Sequence, residues 1–64
     1  MTGGFDMNEI WANRLIAGTQ SWEKCVKTGR EMAVEAILRE KVVGGKITAE
    51  DYARITGKEF AGGN

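Results

Sequence analysis

Apolar residues in this chain recur every three or four positions and nowhere alternate over a useful length. That is the periodicity of helices with one buried side, and no strand pattern competes with it. Met7, Ile10, Trp11 and Leu15 form the first run. Asp6 stands before it as a helix cap, with Glu9 three residues on to complete a capping box. Phe5 and Ile10 have the spacing of a hydrophobic staple, and Gly18 is a natural stop. The pattern predicts a helix over about 7–17. Ile16 lies off the main stripe, so this helix has apolar surface on a second side.

The next run is longer. Thr19 or Ser21 can cap its start and Gly44 can end it. Trp22, Cys25, Val26, Met32, Ala33, Ala36, Ile37 and Val43 fall on or near one stripe, and Val34 and Leu38 widen it. Glu23–Lys27 and Glu35–Arg39 are favourable i,i+4 pairs, each worth about 0.2–0.5 kcal/mol. Gly29 is the weak point, because glycine inside a helix costs about 1 kcal/mol against alanine. Either one helix passes through it, or Lys27-Thr28-Gly29 is a turn with a stop residue already in place. We place a break there, with helices over about 20–28 and 30–43.

The last periodic segment is "GGKITAEDYARITGKEF". Gly44 and Gly45 end the preceding helix. Ile47 then precedes Thr48 as N-cap, with Asp51 at the third helical position and Tyr52 at the fourth. That order predicts a capping box and a staple together. Glu50 and Asp51 put negative charge in the first turn, where the helix dipole favours it. Tyr52 and Ile55 form the apolar edge, with Ala49 behind them, and Gly57 closes a helix of about 49–56. Phe60 can fold back onto the same face. The expected fold is a single all-α domain over 1–64, hairpin-like and without a sheet, with flexible ends at 1–5 and 61–64.

Length restricts what this fold can do alone. A chain of 64 residues hides only about 60% of the surface its unfolded form exposes. Disulfides and metals are the usual remedies. One cysteine excludes an internal disulfide, and with no histidine a structural zinc site lacks ligands. Oligomerisation or docking onto a larger partner remains. Nine basic and nine acidic residues give a formal charge of zero, which argues against a protein that neutralises phosphates. No apolar run has the roughly 20 residues of a membrane span, and the first ten residues lack the pattern of a signal peptide. Synthesis in a reducing cytoplasm is the expectation.

Candidate chemistry is sparse. Without a histidine base, Cys25 reads as a small core residue and not as a nucleophile. Glu50 and Asp51 already have a role in the first turn of a helix. The glycine pairs lack the surroundings of a phosphate loop. No enzyme activity and no cofactor is expected. Trp11 and Trp22 are large for so small a chain. They either build the core or anchor a partner, and aromatic residues are enriched at the energetic centres of interfaces. With Tyr52, Ile55 and Phe60 they are the candidate interaction residues; Gly45, Ile47, Thr48, Asp51 and Gly57 are the candidate stop and cap residues. "KITAEDYARITG" also has the form of the opening helix of a helix-turn-helix domain. Only "KEFAGGN" follows it, too short for a recognition helix, so nucleic-acid binding is not expected.

Residues 34–61, "VEAILREKVVGGKITAEDYARITGKEFA", resemble the XkdX family of short phage proteins. The matching positions are Gly45, Lys46, Ile47, Thr48, Glu50, Tyr52, Ile55, Thr56 and Gly57, and Phe60 stands where the family has tyrosine. Trp22 corresponds to an upstream aromatic helix, whereas the helix over about 7–17 is an addition to the short family pattern. The resemblance implies a small structural or interaction protein of a tailed phage or phage-like particle. It would be made in the host bacterial cytoplasm and incorporated in the virion tail. Its partners would be other tail, baseplate or fibre proteins, bound by helix packing, with several copies or a homo-oligomer in the assembly. A non-structural assembly or regulatory factor is the alternative. The family supplies no catalytic residues to carry over.

Overall fold

The computed structural model describes residues 6–60. Phe5, the expected staple partner, and the two ends at 1–5 and 61–64 lie outside the described residues. Within them the chain forms α1 (Met7–Ala17), α2 (Trp22–Lys27), α3 (Glu31–Val43) and α4 (Ala49–Thr56), and no strand. The all-α class and the four helices agree with the hydrophobic period.

Each helix begins or ends for a local reason. Asp6 caps α1 by accepting from the Asn8 backbone N–H at 3.0 Å. Glu9 does not close the expected capping box. Its carboxylate lies 3.2 Å from Lys41 Nζ, where an opposite charge on α3 competes with the backbone for it. Ser21 caps α2, accepting from the Lys24 N–H at 3.3 Å. Thr28 and Gly29 end that helix, and Gly29 has a φ of +78 that an L side chain tolerates poorly. The turn over Lys27-Thr28-Gly29 is therefore a break.

The end of α3 assigns different jobs to the glycine pair. Gly44 keeps an ordinary φ of −80, while Gly45 takes the left-handed conformation at +77. The N–H of Gly45 then reaches Val42 O at 3.1 Å, and that of Lys46 reaches Lys41 O at 2.8 Å. These two bonds satisfy carbonyls that the helix end leaves open, the Schellman arrangement. Gly45 is the stop, and Gly44 is the last turn before it.

The α4 start is as its spacing predicts. Asp51 N–H donates to Thr48 Oγ1 at 3.0 Å, and Thr48 N–H donates to Asp51 Oδ2 at 3.1 Å. Both halves of the capping box are made. Thr48→Ala is expected to lower stability by about 1 kcal/mol, because the Asp51 N–H loses its acceptor. Denaturant unfolding of the variant against the parent chain measures this, and an unchanged midpoint would refute the cap.

The helix α3 is the hub, with α1, α2 and α4 all packed against it. The core is Ala12, Leu15, Cys25, Val34, Leu38, Ile47, Tyr52 and Ile55. Trp11, Ile16, Trp22, Ile37, Val42 and Phe60 pack partly buried around it. Side chains from both ends of α3 hold the first turn of α1: Arg30 Nη1 donates to Asn8 Oδ1 at 3.2 Å, and Lys41 pairs with Glu9.

One sequence expectation is overturned here. Of the single stripe, Trp22, Cys25 and Ile37 reach the core, but Val26, Met32, Ala33, Ala36 and Val43 do not. Val34 and Leu38 on α3 are fully buried, whereas Met32 is 82% and Val43 76% exposed. Val26 on α2 is also exposed. The left-handed Gly29 resets the helical phase, so positions before and after it cannot be projected onto one wheel.

Candidate functional site

The motif segment places Tyr52 one turn into α4, pointing inward, with 1% of its surface exposed. Its hydroxyl still needs a partner, since a buried polar group left alone is costly. It donates to Glu35 Oε2 on α3 at 2.6 Å. The other oxygen of Glu35 accepts from Lys58 Nζ at 3.0 Å. Glu35 was expected to pair with Arg39; it is instead held from the α4 side. The Arg39 guanidinium lies over the rings of Tyr52 and Phe60, 5.9 and 5.5 Å from their centres. Such a contact is worth about 0.5–1 kcal/mol at an exposed site. Phe60 folds back and meets Tyr52 edge to face, with centroids 5.2 Å apart.

The turn that returns Phe60 explains the Ile-Thr-Gly ending. Thr56 is buried, and its hydroxyl donates to Tyr52 O at 2.9 Å while accepting from the Lys58 N–H at 3.1 Å. Gly57 is left-handed, at a φ of +75, and its N–H reaches Ala53 O at 2.8 Å. Gly45, Ile47, Thr48, Asp51, Tyr52, Ile55, Thr56, Gly57 and Phe60 thus make one stop, cap, core and turn unit.

This unit has a pH signature. Hydrogen bonds from Tyr52 and then Lys58 hold the Glu35 carboxyl below its ordinary range. The Thr48 backbone N–H, followed by Arg54, does the same for Asp51. Stability from both is present above their unfolded values, about 4, and is lost as pH falls through the folded values. Burial, then the Glu35 hydrogen bond, pushes the Tyr52 phenol up. Burial, then Glu31, raises the Cys25 thiol. Stability from these two is complete below their unfolded values, about 10 and 8.5, and falls as pH rises through the folded ones. Denaturant unfolding across pH is expected to show a plateau with an acid and an alkaline shoulder. Tyr52→Phe should shrink both shoulders, since Tyr52 contributes to each. Identical profiles for the two proteins would refute the coupling.

The candidate interaction residues divide by burial. Tyr52 and Ile55 belong to the chain's own core, and Phe60 is partly buried beside it. Trp11 and Trp22 are partly buried against the same core. None of these five is a fully exposed anchor. Cys25 is fully buried, and a neutral buried thiol is a poor nucleophile. Beside it Glu31 has a buried Oε1 with no hydrogen-bond partner among the described residues. No group of three His, Cys, Asp or Glu residues among the described residues could hold a metal ion. No helix among them is long and apolar enough to cross a membrane.

The exposed apolar surface lies elsewhere. Met32, Ala33, Ala36 and Val43 all face outward from α3, with Glu40 as the charged member of that face. A groove of about 350 Å³ borders its end, lined by Arg39, Glu40, Val43, Gly44 and Phe60. A smaller hollow of about 190 Å³, between Glu9, Lys41 and Lys46, carries both signs of charge. The outward face was legible in principle: Met32, Ala36 and Val43 follow a four- and seven-residue spacing of their own, offset from Val34 and Leu38. Phasing α3 from Gly29 instead of Trp22 separates the two sets.

Comparison of the chain with protein-family models, curated proteins and solved structures gives no match. The resemblance of residues 34–61 to XkdX proteins rests on the motif residues alone. What the geometry offers is an exposed, largely apolar face on α3 with a groove at its end.

Proposed function

We propose that this chain is a small structural or interaction protein of a tailed phage or phage-like particle, acting by helix packing onto larger tail, baseplate or fibre proteins. The observation that carries the packing role is the outward apolar face of α3. An apolar surface on a small protein marks a place where another protein sits more often than one where bonds are broken. The tail setting comes from the motif between Gly45 and Phe60. That motif has a structural role in this chain, joining α3 to α4 and returning Phe60, and so suits a self-contained packing unit.

Mass spectrometry of purified particles tests the setting. A tail component remains in stoichiometric amounts through particle purification, whereas an assembly factor is lost. Absence from the particle would turn the reading to the non-structural alternative. Nucleic-acid binding gains no support from the geometry, because α4 is followed by the Gly57 turn and the returning Phe60, not by a recognition helix.

A further inference from the structure

We infer that α2 is a lid: the segment between the hinges Gly18 and Gly29 lifts off α3 and unwinds as a unit while α1, α3 and α4 stay folded. The helix α2 has six residues, and an isolated helix shorter than about 12 is marginal in water. Its closure therefore depends on packing, and that packing is thin. Cys25 is fully buried and Trp22 partly so, while Glu23, Lys24, Val26 and Lys27 are exposed. No ion pair or side-chain hydrogen bond among the described residues joins α2 to another helix. Its Ser21 cap and the Thr28 hydroxyl bond both stay within residues 21–28.

The rest of the fold is fastened without it. Asn8 on α1 accepts from Arg30 at the head of α3, and Glu9 pairs with Lys41 near the end of α3. Those two contacts hold α1 on α3 across the whole α2 segment, and α4 packs on both. Gly18 and Gly29 bound the segment at φ of +83 and +78, with open space where a side chain would stand. Glycine crosses to negative φ readily, so each can absorb the movement of a lid. Closure also has a cost. Glu31 sits beside the Cys25 thiol and keeps a buried Oε1 without a donor, a penalty that opening relieves by letting water in. The open form presents what the closed form hides: the Cys25 thiol, the inner side of Trp22 and the flank of α3 beside Glu31.

Alkylation of Cys25 by iodoacetamide in the folded whole chain, followed by mass spectrometry, tests this. A lid tethered at both ends recloses within about a microsecond, far faster than alkylation. The labelling rate, relative to that of the denatured chain, therefore reads the open fraction. That fraction should exceed the globally unfolded fraction, obtained from denaturant unfolding, at least about tenfold. Two cap variants then separate local from global opening. Ser21→Ala removes the cap of α2 and should speed labelling about fivefold. Thr48→Ala removes the cap of α4 and should raise the globally unfolded fraction about fivefold while leaving labelling unchanged. Both lost bonds are exposed, so both variants keep the fold. Equal acceleration by the two would show that Cys25 is reached only by global unfolding. No acceleration by Ser21→Ala would show that the thiol reacts without α2 moving. Either result, or an open fraction equal to the unfolded one, would overturn the lid.

Discussion

Tyr52→Ala is expected to unfold the domain. Tyr52 is the largest of the fully buried side chains and stands where α3, α4 and the returning Phe60 meet. Truncating a buried large aromatic costs about 3–5 kcal/mol, from lost transfer energy and from the cavity left behind. A domain of this length holds about 3–10 kcal/mol in all, at about 0.05–0.15 kcal/mol per residue. The loss is compounded because Glu35 keeps its charge and loses its hydroxyl donor, and Phe60 and Arg39 lose the ring they rest on. Tyr52→Phe separates the two contributions. It keeps the ring and removes only the donor, and should cost about 1–2 kcal/mol. Circular dichroism with thermal melting reads both. A folded Tyr52→Ala chain with a near-parental midpoint would mean that the core lies elsewhere.

The second large effect is a contrast within one helix. Leu38→Ala should lower stability by about 2–5 kcal/mol, because Leu38 is fully buried at the centre of α3 and its loss opens a cavity among three helices. Met32→Ser, six residues earlier, should change monomer stability by no more than about 0.5 kcal/mol, the range for exposed positions. Denaturant unfolding at low concentration, where self-association is negligible, measures both changes. Equal losses at the two sites would show that α3 turns a different face to the core.

That contrast also marks where sequence reasoning stopped. Caps and stops were legible because they are local. Thr48 with Asp51, Asp6 at the head of α1, and the glycines that close each helix need only their neighbours in the chain. The break at Gly29 was legible for the same reason. Its consequence for Met32 and Val43 was not, since hydrophobicity alone gives a helix a stripe without saying which of two stripes turns inward. Val34 and Leu38 turn inward because their stripe, extended by Ile37 and Val42, packs into one cluster with Leu15, Ile47 and Tyr52. The roles of Glu35 and Arg39 were hidden for another reason. Their partners, Tyr52, Lys58 and Phe60, sit on a different helix or beyond it, and only the turn through Thr56 and Gly57 brings them within reach. Tyr52 and Ile55 were correctly placed on one apolar edge, but the edge is the chain's own interior.

The self-contained stops have a kinetic consequence. Each helix ends in bonds that span five residues or fewer, and α1, α2 and α4 also begin in a local side-chain cap, so most of the backbone order can form before distant parts of the chain meet. Left for later is the packing of α1, α2 and α4 onto α3, in which the first turn of α1 finds Arg30 and Lys41, and Tyr52 and Lys58 find Glu35. Chains dominated by such local structure fold in microseconds to milliseconds. The absence of proline removes the slow isomerisation that delays many refolding proteins by tens of seconds. Under the proposed role, such a chain would reach a growing assembly already folded, and the speed of its incorporation would be set by how often copies and partners collide.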